Sequence, residues 1–328
     1  MGTLTEPHLS RRRLLQTGGA LALTPWLFGC SPREPLIISG HKWPGYETLF
    51  MARDMGLLQI DGLQLMEAPN ASVSMQAIRE GKAQAAMLTV DEMIRLCSEG
   101  FDLRVAMIFD ISVGADVVVA KPEINQPQDL IGKRIGYEDS ALGALMLYEF
   151  LSHSLLDRNE VELVHVTADQ HQTAWESGSL DALITFEPNA TKLMQVGAKR
   201  LFDSRQIPDK IFDVLAITAE AAQRHKSALG KIIKIHFESL HHLRTNPMDA
   251  SHRIAKRLDM SAEDVMQLYR GLLMPDALAN HAYLSKQDDR LVNAAEHLIR
   301  VMRDAGIIVE DCDLRTIFTN EFIPRDLI

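Results

Sequence analysis

The chain has 328 residues, 46% hydrophobic and 24% charged, with 44 acidic against 34 basic side chains and a formal net charge of −10. This exceeds one ordinary domain and supplies enough apolar surface for one large core or two medium ones. The acidic balance, with no basic stripe, excludes a nucleic-acid surface.

The first element is a leader. SRRRLLQ (10–16) provides a basic start, and residues 14–28 form an apolar run below the roughly 18 residues that a membrane span needs. A signal peptide over 1–29 is expected. SRRRLLQ resembles the twin-arginine export pattern, and LFGC (27–30) resembles a lipobox with Cys30 as the lipidated first mature residue, although Phe28 departs from the small residue usual there. The competing reading, a buried N-terminal helix, is opposed by the three arginines and by Pro25. Only Cys97 and Cys312 remain beyond Cys30, too few for a disulfide framework, and both read as structural.

From 36 onward, short β-rich runs alternate with helical patterns. LIIS (36–39), LQLMEA (63–68), AQAAML (83–88) and LRVAMIF (103–109) are separated by helices near 46–56, 71–81 and 91–99. A second series, RIGYE (134–138), VELVHV (161–166), DALITF (181–186) and KRLF (199–202), has helices near 141–153, 169–177 and 188–196. Such alternation predicts βαβ units on two mostly parallel sheets. Two extended apolar segments, 117–121 and 211–218, are expected to carry the chain between lobes. Residues 30–121 then begin lobe 1, 122–210 form lobe 2, and 211–328 complete lobe 1 with a largely helical region.

An internal echo supports two similar lobes. EGKAQAAMLTVDE (80–92) and ESGSLDALITFEP (176–188) both run from a helix end through a glycine into a small-residue strand that closes on a carboxylate. Ligands of open α/β sheets bind outside the strands' carboxyl ends, so these acids are expected to face a cleft.

The candidate ligand-binding residues follow from that rule. Trp43 and Tyr46 sit around Pro44-Gly45 in the turn after the first strand, either stacking on a ligand or capping the next helix. Thr89 and Asp91 end the third strand, where Asp91 equally suits an N-cap. Ser112 and Asp116 flank Gly114, facing the ligand or fixing a hinge. Tyr137, Glu138, Ser140 and Gly143 lie where a strand meets a helix whose free N–H groups suit a polar group, with Ser140 equally a plain cap. Phe186 and Glu187 precede Pro188 at another strand end, Glu187 also suiting a helix first turn. Asp213 is a weaker candidate. His236, His241, His242 and His252 read as a solvated helix face, and His171 reads as a candidate cleft residue. No pattern calls for a metal or cofactor.

WPGYE (43–47), SVGADVVVA (112–120), DLIGKRIGYEDSALGALML (129–147), DALITFEP (181–188) and FDSRQIPDKIFDVLAIT (202–218) together resemble the nitrate/sulfonate/taurine-type substrate-binding proteins of ABC importers. That group includes binding proteins for thiamine-pyrimidine precursors. The resemblance implies a two-lobed periplasmic-binding α/β fold of type II kind with hinge crossings. It also implies a small-molecule ligand between the lobes and delivery to an ABC permease of the inner membrane. The expected location is the periplasm, with a lipid anchor. A sensing partner of a membrane receptor would use the same fold. An enzyme resembling the thiamine-pyrimidine synthases would need a cysteine-rich run that this chain lacks. The strand-end acids further suggest a cationic or nitrogen-heterocyclic ligand, stacked by Trp43 and Tyr46 and paired with Glu138 or Glu187.

Overall fold

Strands buried on both faces need continuous apolar runs, and the central segments of this chain supply them: every residue of AAMLT (85–89) and DVVVA (116–120) is buried. The computed structural model describes residues 1–3, 34–310, 312–314 and 316–327. The expected leader and Cys30 lie outside the described residues.

In chain order the strands are β1 (Leu36–Gly40), β2 (Leu63–Glu67), β3 (Ala85–Thr89), β4 (Leu103–Ser112), β5 (Asp116–Ala120), β6 (Arg134–Tyr137), β7 (Glu162–His165), β8 (Ala182–Phe186), β9 (Lys199–Asp203), β10 (Phe212–Thr218) and β11 (Leu272–Leu273). They form two sheets, ordered β11-β4-β10-β3-β1-β2 and β7-β6-β8-β5-β9. β1 is parallel to β2 and β3, and β6 to β7 and β8, as the βαβ pattern requires. The strands that follow each crossing, β5 and β10, are antiparallel to their neighbours. Between β1 and β9 lie helices α1 (Glu47–Asp54), α2 (Ala71–Arg79), α3 (Val90–Ser98), α4 (Ala141–Ser154), α5 (His171–Glu176) and α6 (Asn189–Gln195). The C-terminal region adds α7 (Ala219–Arg224), α8 (Lys226–Thr245), α9 (Pro247–Leu258), α10 (Ala262–Leu268), α11 (Ala277–Tyr283) and α12 (Arg290–Asp304). Among the described residues no helix is long and apolar enough to cross a membrane.

The crossings fall beside the segments expected for them. Residues 117–120 lie wholly inside the second sheet, paired on both sides by β8 and β9, and 212–218 lie wholly inside the first, between β3 and β4. The chain changes sheet at 113–115 and at 204–211. Gly114 has φ +122°, a conformation that side chains disfavour, which is why the turn sits there. Ser204 ties the two crossings together: its Oγ accepts from Gly114 N at 2.6 Å and lies 2.7 Å from Ser112 Oγ.

Long-range polar contacts hold the C-terminal helices on the first lobe. Arg257 of α9 pairs with buried Glu47 and with Glu67 (3.2 Å), its guanidinium 3.4 Å above the Phe50 ring. His236, expected on a solvated face, is fully buried with Nδ1 2.8 Å from Thr48 Oγ1. Burial pushes it down to about 3, so it stays neutral. Asn280 of α11 stands in for a missing strand beside β4: its Oδ1 accepts from Ile108 N (2.7 Å) and its Nδ2 donates to Ile108 O (3.0 Å).

Asn280→Ala would orphan both buried backbone groups of Ile108, each worth about 1–3 kcal/mol. Urea titration is expected to show a loss of roughly 2–3 kcal/mol with an unchanged m-value; a change within about 0.5 kcal/mol would show that the strand edge finds other partners.

Candidate functional site

The carboxyl ends of β1 and β3 in one lobe and of β6 and β8 in the other converge on a shut cleft. After β1 the chain turns through Pro44-Gly45-Tyr46, and Gly45 is needed because a Cβ there would run into the Asp110 carboxyl. The turn delivers Trp43, whose Nε1 donates to Asp110 Oδ2 at 3.0 Å, and Tyr46, whose hydroxyl donates to Asp213 Oδ1. Asp110 and Asp213 face each other across the β4–β10 ladder, within hydrogen-bonding reach. Two carboxyls can meet that way only if one carries a proton.

The walls come from the other strand ends. Thr89 N donates to Glu92 Oε2 (2.9 Å) in the box that starts α3, with Asp91 fully buried in its first turn. Beyond β6, Ser140 Oγ accepts from Gly143 N (3.0 Å) and caps α4. A Cβ at Gly143 would strike the Glu138 carbonyl, so glycine lets the helix start close to that acid. At the end of β8, Glu187 accepts from Thr191 N and Thr191 Oγ1, both at 3.0 Å. Trp43 meets Phe186 across the cleft edge-to-face, ring centroids 5.9 Å apart.

These groups enclose a cavity of about 20 Å³, room for one water-sized group. Its walls include His41, Thr89, Glu92, Asp116, Glu138 and Asp213, and among the described residues no lysine or arginine lines it. Among the described residues Asp116 Oδ2 and Glu138 Oε1 have no hydrogen-bond donor, and Asp213 Oδ2 has none beyond the proton it would share with Asp110. Among the described residues no cluster of His, Cys, Asp and Glu is arranged to hold a metal ion.

Burial without a counter-cation moves every one of these acids toward its neutral form. Burial pushes Asp116 up to about 7, with Ser112 pulling the other way and the charges of Asp91 and Glu187 adding to the rise. Burial likewise takes Asp110 to about 8 and Asp91 to about 6, and raises Glu138 and Glu187. Glu92 and Asp213 are held well above the carboxylate range by burial and then by neighbouring acids. His41, pushed down to about 4 by burial and then by Arg257, is a neutral wall.

Outside this cavity lies a vestibule of about 350 Å³ whose walls include Lys42, Glu67, Asp169 and Lys192; His41 and Phe186 line both spaces. The lobes are joined here by Asn70 Nδ2 to Asp169 Oδ1 (3.1 Å) and Lys192 Nζ to Leu258 O (3.2 Å).

Of the residues singled out from sequence, Trp43, Thr89, Asp116, Glu138, Phe186 and Asp213 line the cavity together. Gly143 and His171 line a smaller neighbouring space, where His171 Nδ1 lies 2.9 Å from Thr185 Oγ1. Tyr46 is fully buried beneath the floor, edge-on to Phe109 and His41. Tyr137 turns away toward His165 (hydroxyl to Nε2, 3.2 Å), and Ser112 serves the crossing. Asp91, Ser140 and Glu187 stand behind the walls. Asp110 and Glu92 are not among the residues singled out from sequence, although Asp110 follows an apolar run as the other strand-end acids do.

Residues 43–250 match the protein-family model described as "NMT1/THI5 like". The taurine-binding periplasmic protein of Escherichia coli (strain K12) is 24% identical over 162 residues, 48% of this chain. The chain spans about half the length of that curated relative, 50%. Among solved structures, the periplasmic aliphatic sulphonate binding protein of Escherichia coli superposes with a TM-score of 0.72 at 15% identity, covering 89% of this chain and 99% of that one. The desulfurization enzyme DSZB gives 0.63 at 17% identity, covering 89% and 98%. At these identities the solved structures establish the two-lobed fold alone.

A carboxyl that binds its proton more tightly when folded stabilises the fold at low pH and loses that contribution as pH rises through its folded value. The buried histidines act oppositely, costing stability only below about pH 6.5. Between these regimes, from about pH 6.5 to pH 8.5, thermal unfolding should show stability falling, because Asp116 and Asp110 lose their protons near 7 and 8. Asp116→Asn should flatten that slope. An unchanged slope would mean that Asp116 is already ionised at neutral pH.

Proposed function

The chain belongs to the NMT1/THI5 like family, and from that premise we propose that it is the solute-binding component of an ABC importer, capturing a small molecule that carries a cationic nitrogen. Periplasmic relatives named for taurine and aliphatic sulphonates support capture and delivery to a permease. The leader-like sequence at 10–30 supports action in the periplasm, anchored through Cys30. Closure of two lobes over a ligand needs hinges, and the crossings at 113–115 and 204–211, tied by Ser204, are suited to that motion.

The observation that carries the ligand assignment is the ring of buried acids with unpaired oxygens and no cation among them. An anion placed there would meet carboxyl oxygens and no positive donor. An ammonium would find acceptors on both lobes, Asp116 and Glu138 of the second and Asp213 and Glu92 of the first. Its charge would draw off their protons and hold the lobes together. Trp43 and Phe186 add aromatic surface, worth about 0.5–2 kcal/mol to a cation on a ring face. In the shut form the cavity fits an ammonium head, whereas a flat heterocycle stacked between Trp43 and Tyr46 has no room, because Tyr46 is core.

Because the ammonium enters as protons leave, affinity should rise with pH. Titration calorimetry with propylamine is expected to show at least tenfold tighter binding at about pH 8 than at about pH 6, a difference of roughly 1.4 kcal/mol. Glu138→Gln should weaken binding at least tenfold. Tight binding of ethanesulfonate, indifferent to Glu138→Gln, would refute the assignment.

A further inference from the structure

Two cysteines lie outside the machinery of the cleft. Cys97 sits half-buried in the last turn of α3, and Cys312 is buried in the segment that follows α12, both packed into the same hydrophobic core. They are distant in the chain, and β4 is what brings them together. That strand begins shortly after Cys97, and its Val105 N donates to Ile317 O at 2.9 Å, with Val105 and Phe318 bridged in parallel. The pairing lays the segment beyond Cys312 against the start of β4 and so returns Cys312 to the end of α3. The two sulfurs come within hydrogen-bonding reach of one another. No disulfide joins them in this structure.

The two thiols are not equivalent. The contact with Cys312 holds the Cys97 thiol below its ordinary value, with burial opposing and the Leu103 N–H adding to the fall. A lowered thiol is more often thiolate, the form that attacks a disulfide. Cys97 is also the more accessible of the pair.

We propose that Cys97 and Cys312 are a disulfide pair, closed by a disulfide oxidant once the chain reaches an oxidising compartment. That compartment rests on the periplasmic reading, whereas the pairing rests on the fold alone. The Cys97 thiolate attacks one sulfur of the oxidant's disulfide, releasing the other as a thiol and leaving a mixed disulfide. Cys312 then gives up its proton, attacks Cys97 Sγ and releases the second oxidant thiol. One S–S bond forms in the protein, the oxidant's S–S bond breaks, and two electrons and two protons pass to the oxidant. Closing to a bond of about 2.0 Å asks only for side-chain rotation.

The bond would fasten a cover onto a sheet edge. The outer edge of β4 is met in turn by β11, by Asn280 and by the segment around Ile317. An uncovered edge invites pairing with another chain. The crosslink would hold the last of these covers against the strand that carries Asp110.

The test treats the purified chain with excess oxidised glutathione, digests it without reductant and reads the peptides by mass spectrometry. A peptide pair linked through Cys97 and Cys312, released by dithiothreitol, is expected. The thermal midpoint of the oxidised protein should fall by about 4–10 °C on reduction. Cys97→Ser and Cys312→Ser should each fold and lose that response to reductant. Glutathione adducts or alkylatable thiols in place of the link, a link through Cys30 instead, or a midpoint unmoved by reductant would overturn the pair. The same digest on untreated protein from the periplasmic fraction should show the link already formed. Reduced cysteines there would overturn closure in the cell, and recovery of the chain from the cytosol alone would overturn the periplasmic reading, the glutathione arm still deciding the pair.

Discussion

Placing several carboxyls in a dry space with no cation is the constraint around which this molecule is arranged. Ionised together they would repel strongly at low dielectric, and burial shifts each of them toward its neutral form. The arrangement follows from topology. β1, β3, β6 and β8 all aim their carboxyl ends at one place, and β4 and β10 add Asp110 and Asp213 from the antiparallel ladder between them. Trp43 and Tyr46, brought in by the Pro-Gly turn, hold that last pair in position with an indole N–H and a phenol. The opening turn is thus a clamp on the floor as much as a wall of the site.

Much of this was legible in the sequence. Strand and helix positions followed from period and punctuation because each βαβ unit is local, and the echo between 80–92 and 176–188 pointed to matching acids in the two lobes. Polarity hidden by distant partners was not legible. His236 looks solvated until Thr48, 188 positions away, takes its nitrogen, and Arg257 reaches Glu47 across 210 positions. The lobe crossings were displaced by a few residues because a buried strand reads the same whichever sheet it joins. Gly114 and the serines at 112 and 204 mark the true turns. Aromatic residues near a strand end could not be sorted into lining and core by pattern alone: Trp43 faces the cavity while Tyr46, three residues on, is entirely enclosed.

The same fold carries sulphonate binding in one solved neighbour and desulfurization in another, so architecture alone does not choose a chemistry. In this chain buried acids line the inner cavity, and Lys42 and Lys192 line the space outside it. The proposed ammonium would find acceptors on both lobes, so its capture would be coupled to closure. A site that surrenders protons on filling would also respond to the acidity of its surroundings.

The central claim is that the inner acids are protonated when empty and ionise when an ammonium enters. Infrared difference spectroscopy at neutral pH, with and without propylamine, reads this directly through the carbonyl stretch of protonated carboxylic acids. A bleach of that band on binding, reduced in Asp116→Asn, is the expected result. Binding with no loss of the carboxylic-acid band would contradict the account.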